Sequence, residues 1–161
     1  HSFPTRRSSD LKFGMILAAF LFLKRMSDIA NVRQWVDKSD SDEYALNSDL
    51  KAVPENTIVY EIFGALFFGA TKDLLNISNE AEKNVLVLRM RNVPAMDISG
   101  LEALEELLGI CKKRNMTLIL SHVNEQPMKV MEKAGFIEKA GRENFCENID
   151  KALERARTLD K

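Results

Sequence analysis

The stretch VLVLRMRNVPAMDISGLEALEELLGICKKRNMTLILSHV, residues 85–123, decides the fold. It opens on VLVLRM at 85–90, apolar at nearly every position. A strand solvated on one face alternates with period two, so this run reads as a central strand buried on both faces. The stretch closes on MTLILSHV at 116–123, a second strand of the same kind. Between them Leu101, Leu104, Leu107, Leu108 and Cys111 recur at steps of three and four, which predicts a helix over 99–114 with one apolar face. Glu102, Glu105 and Glu106 come early in it, and Lys112, Lys113 and Arg114 late, the order the helix dipole favours. Strand, helix and strand in this order imply a right-handed crossover between parallel strands.

Upstream, TIVYEIF at 57–63 is β-branched and aromatic, hence a strand. Gly64 breaks it, and Ala65–Phe68 reads as a second short strand ending before Gly69. Thr71 is placed to cap a helix through Glu82, with Leu74, Leu75 and Ile77 as its apolar stripe. Downstream, Pro127 fits the first turn of a helix ending at Gly135, with Val130, Met131 and Ala134 facing inward. Phe136 and Ile137 read as a short edge strand. Asn148 caps a last helix whose inner face is Ile149, Ala152, Leu153 and Ala156. The fold class is therefore α/β. A mostly parallel central sheet carries about four helices in a layered arrangement over 57–161.

The rest of the chain differs in character. Residues 27–56 read as a linker: DKSDSDE at 37–43 is acidic, and Trp35-Val36 is a bulky apolar pair suited to a small contact against the domain. Residues 13–23, FGMILAAFLFL, form an uncharged run followed by Lys24-Arg25. A membrane-crossing helix takes about 20 such residues, so this run alone is too short. A signal peptide lacks its small-residue cleavage site here, and a twin-arginine signal is broken by Asp10. A core helix does not suit a run that is apolar on every face. The favoured reading of 13–26 is the end of a transmembrane helix, with Lys24 and Arg25 as its cytoplasmic flank and residues 27–161 inside the cell. Residues 1–12, HSFPTRRSSDLK, match nothing that follows and read as a non-native or disordered tail.

Composition excludes several functions. The 161 residues carry 23 basic and 24 acidic side chains, for a net charge of −1, so a generally basic nucleic-acid binder is ruled out. Two cysteines, Cys111 and Cys146, form no C-x-x-C pair, and the only histidines are His1 and His122. No metal site is expected from such a set. Dinucleotide, phosphate-loop, nucleophile-elbow and zinc-protease motifs are all missing from the sequence, so neither a cofactor nor an enzyme activity is expected. His122, at a strand end, reads as structural, Cys111 as core, and Cys146 as a partly exposed thiol without an activating base. Met90, Met96, Met116, Met128 and Met131 read as core.

One segment stands apart: Met96-Asp97-Ile98-Ser99-Gly100, between the end of a central strand and the start of a helix. Ligands and partners dock at this position in open α/β sheets. Ser99 followed by Glu102 is a capping-box pattern. The same hydroxyl at a helix N-terminus is also suited to carry a phosphate, against which Asp97, Glu102, Glu105 and Glu106 would act by repulsion.

These elements together resemble the STAS domain, the module shared by sulfate-type anion transporters and bacterial anti-sigma-factor antagonists. The resemblance is carried by VYEIFGALFFGAT at 59–71, VLVLRMRNVPAMDISG at 85–100, His122-Val123-Asn124-Glu125-Gln126-Pro127, and ENIDKALERAR at 147–157. It covers about 55–159 and points to the transporter branch, the SulP family, whose last transmembrane helix FGMILAAFLFLKRMSDI at 13–29 also resembles. The resemblance implies a non-enzymatic cytoplasmic domain attached to a membrane-transport domain that moves sulfate or a related anion. It further implies a regulatory surface at Asp97, Ser99 and Gly100. Homodimer contacts, a soluble protein partner or a nucleotide at the loop 93–100 are the partners it admits; nucleic acid is not among them. The alternative it implies is a soluble anti-sigma-factor antagonist switched by phosphorylation of Ser99. In antagonists the serine before the glycine of this motif is the phosphorylated one, and Ile98 here replaces their frequent second hydroxyl residue.

Overall fold

A computed structural model of the chain describes residues 6–27, 31–34, 53–67, 74 and 83–159. Helix α1, Arg6–Ser27, is followed by strand β1, Asn31–Gln34, and strand β2, Thr57–Phe63. Strand β3, Val85–Asn92, leads into helix α2, Ile98–Lys113, and strand β4, Thr117–Ser121. Helix α3, Glu125–Lys133, helix α4, Phe136–Ala140, a short 3-10 turn, strand β5, Phe145–Cys146, and helix α5, Ile149–Leu159, complete the order.

The five strands form one sheet in sequential order, β1 to β5. β2, β3, β4 and β5 are parallel, and β1 lies antiparallel on the edge beside β2. Parallel neighbours require crossovers, which explains why a helix separates β3 from β4. The central strands are apolar on both faces because both faces are covered. Leu86, Leu88, Met90, Leu118 and Leu120 point to the side of α2, where Leu101, Leu104, Leu107 and Cys111 pack with Met131, Phe136 and Ile137. Val59, Val85, Val87 and Ile119 point the other way, against Ala152, Leu153 and Ala156 of α5. The five methionines read as core all pack in the first of these layers.

Several expectations need correction. Residues 31–34 are not linker; they pair with Tyr60–Phe63 and add an edge strand. Four residues with one apolar side chain carry little strand signal, so the pairing is set by the neighbouring strand and not by β1 itself. Phe136 and Ile137 are helical, not an edge strand. Gly135 turns the chain with φ 68°, and Phe136, Ile137 and Ala140 then share one buried helical face. The strand at this edge is Phe145–Cys146 instead, paired with Leu120 and Ser121. After Gly64 there is no full second strand in the described part, only a single bridge from Leu66 to Met96. The tail read as disordered is helical from Arg6 onward, continuous with the apolar run. Leu74 is helical and buried, while the rest of the helix expected at 71–82 lies outside the described residues, as do Trp35 and Val36.

Asn148 caps α5 as expected, its Oδ1 accepting from the backbone N–H of Lys151 at 2.9 Å. α1 is not a core helix: Leu11, Phe13, Met15, Ile16, Leu17, Phe20, Leu21 and Phe22 are 57–74% exposed. Among the described residues, no helix is long and apolar enough to cross a membrane.

Candidate functional site

The loop after β3 is built from the backbone outward. Val93 donates its N–H back to Met90, which ends the strand in a tight turn. The chain then runs beside residues 64–66: Gly64 donates to the Asn92 carbonyl, Leu66 to that of Ala95, and Asp97 to that of Leu66 at 3.2 Å. The other side is held by two side-chain amides at the start of α3. Asn124 Nδ2 donates to the carbonyls of Val93 at 2.7 Å and Arg91 at 3.0 Å, and to Met90 at 3.4 Å. Gln126 makes a two-way contact with Met96, accepting its N–H at 2.8 Å and donating to its carbonyl at 3.1 Å. A loop without regular pairing thus has most of its backbone polar groups satisfied.

Helix α2 begins inside this frame. Its N-cap is Asp97, whose Oδ1 accepts the N–H of Gly100 at 2.9 Å. The capping box expected at Ser99 and Glu102 is not formed: the helix already starts at Ile98, so Ser99 lies one residue inside its first turn. An aspartate at the cap outcompetes a serine two residues later because it meets the free N–H first and carries charge toward the positive helix end. Ser99 is half-buried. Gly100 is buried because the Leu66 backbone crosses it. A Cβ there would sit 2.3 Å from the Leu66 carbonyl oxygen and 2.9 Å from Met96 Cγ. Gly100 is therefore a packing residue that lets α2 and residues 65–67 approach each other.

What the segment offers to solvent is narrow. Met96 is buried and Asp97 is occupied in the cap, whereas Ile98 is 65% exposed. Among the described residues outside α1, Ile98 is the one large apolar side chain so exposed. The structure thus brings Asp97, Ser99 and Gly100 together, as three consecutive roles along one turn: cap, half-buried hydroxyl and close-contact glycine. Sequence reasoning missed Asn124 and Gln126 as the residues that set the loop's shape. Their signal, two amides flanking a helix start, has no partner within thirty residues of sequence to reveal its purpose.

Little else in the described residues is equipped for chemistry. No three His, Cys, Asp or Glu side chains converge as a metal site. Burial pushes the Cys111 thiol up to about 11, and burial also raises Cys146, so neither is an activated nucleophile. His122 is exposed and takes φ 54°, turning the chain out of β4, while its N–H donates to the Cys146 carbonyl at 2.9 Å. Its part in the fold is played by its backbone.

The comparisons with known proteins agree with this geometry. The STAS domain family model matches residues 50–152. A protein of Bacillus subtilis (strain 168) bearing the name sulfate transporter YvdB is 26% identical over 140 residues, which is 85% of this chain and 25% of that protein. The chain therefore spans about a quarter of that relative's length. The crystal structure of a sulfate transporter family protein from Wolinella succinogenes is 39% identical, covers 68% of this chain and 92% of that one, and superposes with a TM-score of 0.65. The STAS domain of a SulP transporter from Vibrio cholerae is 29% identical over 68% of this chain and 87% of that one, with a TM-score of 0.60. The anti-sigma-factor antagonist SpoIIAA, at 19% identity and a TM-score of 0.55, shares the fold alone. Parallel sheet, two-sided core, capped loop and sequence match converge on one assignment: the chain belongs to the STAS-domain family, and its domain is of the kind found in SulP sulfate transporters.

Proposed function

We propose that this chain is the cytoplasmic STAS region of a SulP-type secondary anion transporter, joined through α1 to a membrane domain that carries sulfate or a related small anion. The observation that carries this reading is α1. Its apolar side chains, from Leu11 to Phe22, stand 57–74% exposed, and among the other described residues Ile98 is the one large apolar side chain so exposed. Eleven uncharged residues ending in Lys24-Arg25 fit the cytoplasmic end of a membrane-crossing helix. The role of the domain is regulatory and non-catalytic. Its docking surface is the turn that presents Ile98 beside Ser99, held rigid by Asp97, Asn124 and Gln126. A rigid exposed apolar anchor loses little conformational freedom on binding, which is what a docking contact needs.

The soluble-antagonist reading rests on the shared fold. It is disfavoured by α1, and by Ile98, which stands where antagonists often carry a second hydroxyl residue. The test is Ile98→Glu in the full-length protein in its source cells. Uptake of labelled sulfate or small dicarboxylates is expected to fall several-fold at unchanged protein level in the membrane. Unchanged uptake of every anion the wild type carries would remove Ile98 from the docking surface.

A further inference from the structure

The face of the sheet under α5 changes character along its length. Val59, Val85, Val87 and Ile119 are sealed by α5. One step further toward the C-terminal ends of the parallel strands, the same face becomes charged. The register sets Arg33 of β1 opposite Glu61 of β2, and Glu61 opposite Arg89 of β3. Directly opposed residues share a face; past Arg89 the register shifts so that Asn92 stands opposite Phe63, and Arg91 precedes it at the same C-terminal edge. Arg33 and Arg91 are exposed. Arg33 lies over the ring of Phe63 at 5.8 Å, which holds its guanidinium at the sheet edge. The Arg91 backbone is fixed by the Asn124 amide at 3.0 Å.

Among the described residues, the acids near this row are committed elsewhere. Glu61 bonds Arg89 at 3.4 Å and Asn92 at 3.0 Å, Asp97 caps α2, and Glu147 pairs with Lys151 at 2.5 Å. The edge therefore shows the outward charge of Arg33 and Arg91. Its position relative to α1 is limited by chain length. β1 begins at Asn31, opposite Phe63 at the C-terminal edge, four residues after α1 ends at Ser27. Four residues span at most about 14 Å. If the apolar run of α1 enters a bilayer, as proposed above, this edge is tethered within that distance of the helix end and its Lys24-Arg25 flank.

We propose that Arg33 and Arg91, together with the basic end of α1, form a surface that binds anionic phospholipid headgroups and lays the C-terminal edge of the sheet against the membrane. This rests on the membrane reading of α1. Basic side chains this close to a bilayer gain from anionic lipid, an attraction that dies away within a Debye length. The favoured occupant is lipid because the surface is cationic, shallow and tied to an apolar helix.

The experiment uses the whole chain with vesicles of phosphatidylcholine, and of phosphatidylcholine mixed with phosphatidylglycerol, at low salt. Binding to neutral vesicles reports α1; the ratio of the two affinities reports headgroup charge. The double variant R33Q/R91Q is expected to lower that ratio by roughly fivefold or more while leaving neutral binding intact. The charge-matched control K113Q/K133Q, on exposed residues at the ends of α2 and α3, is expected to leave the ratio unchanged. Circular dichroism confirms that each variant folds. A ratio that both variants lower equally, or that R33Q/R91Q leaves unchanged, overturns the proposal and leaves a protein surface as the occupant. Failure of the wild-type chain to bind either vesicle overturns the membrane reading of α1, and this inference with it.

Discussion

A methyl group at Gly100 would sit 2.3 Å from the Leu66 carbonyl oxygen, whereas one at Gly109, on the same helix, would meet nothing within 4 Å. The two glycines therefore predict opposite outcomes. Gly100→Ala is expected to cost about 1–3 kcal/mol through forced displacement of backbone. Gly109→Ala is expected to stabilise by about 0.5–1 kcal/mol, since alanine restricts the unfolded chain and favours helix. Urea unfolding of both variants checks the pair. Asp97 and Ser99 form a second contrast. Asp97→Ala removes the carboxylate that holds the Gly100 N–H and is expected to cost about 1 kcal/mol. Ser99→Ala is expected to stay within about 0.5 kcal/mol, because Ser99 is not the cap. Equal losses from the two substitutions would return the cap to Ser99. At this scale the sequence marks the right segment but divides its roles wrongly. Two oxygen-bearing side chains stand two residues apart, and only the helix start decides which of them meets the free N–H.

Helix α3 is short, nine residues, yet its first turn holds the loop that starts α2. Its N-cap residue Asn124 makes no side-chain cap bond; the amide reaches instead across to three carbonyls at the end of β3. Asn124→Ala would leave those acceptors short of a donor, at a cost of about 1–3 kcal/mol. The loss should be local: hydrogen exchange at the amides of Leu66 and Asp97, which cross-link the loop, is expected to speed up before the central strands are affected. Exchange that rises uniformly across β3 and β4 would mean that Asn124 supports the whole sheet. The long elements were legible because their pattern is local: β3 and β4 as unbroken apolar runs, α2 as an apolar stripe with sixteen residues. The short ones were not. Phe136-Ile137 is apolar at adjacent positions, which suits a strand or the buried face of a single helical turn, and Gly135 at φ 68° settles it as helix. β1 and the Asn124 clamp depend on partners about thirty residues away, and no local pattern encodes such a contact.

On the scale of the whole molecule, the sheet divides the domain into two apolar layers, and both proposed surfaces lie where the parallel strands end. The loop with Ile98, the cap at Asp97, the clamp from α3 and the arginines of β1 and β3 all stand at that C-terminal edge. This is the edge at which open α/β sheets present ligands and partners. β1 also starts there, four residues after α1 ends. Composition and hydropathy made the apolar run plain, and its exposure in the folded chain shows that the domain itself does not cover it. The central claim is that this domain works as part of a membrane transporter, and fractionation of the source cells tests it most directly. An immunoblot with antibody raised against residues 53–159 should show the native protein in the membrane pellet, several times heavier than the 18.3 kDa of this chain. A band of about that mass in the soluble fraction would contradict the account and make phosphate on Ser99 the next question.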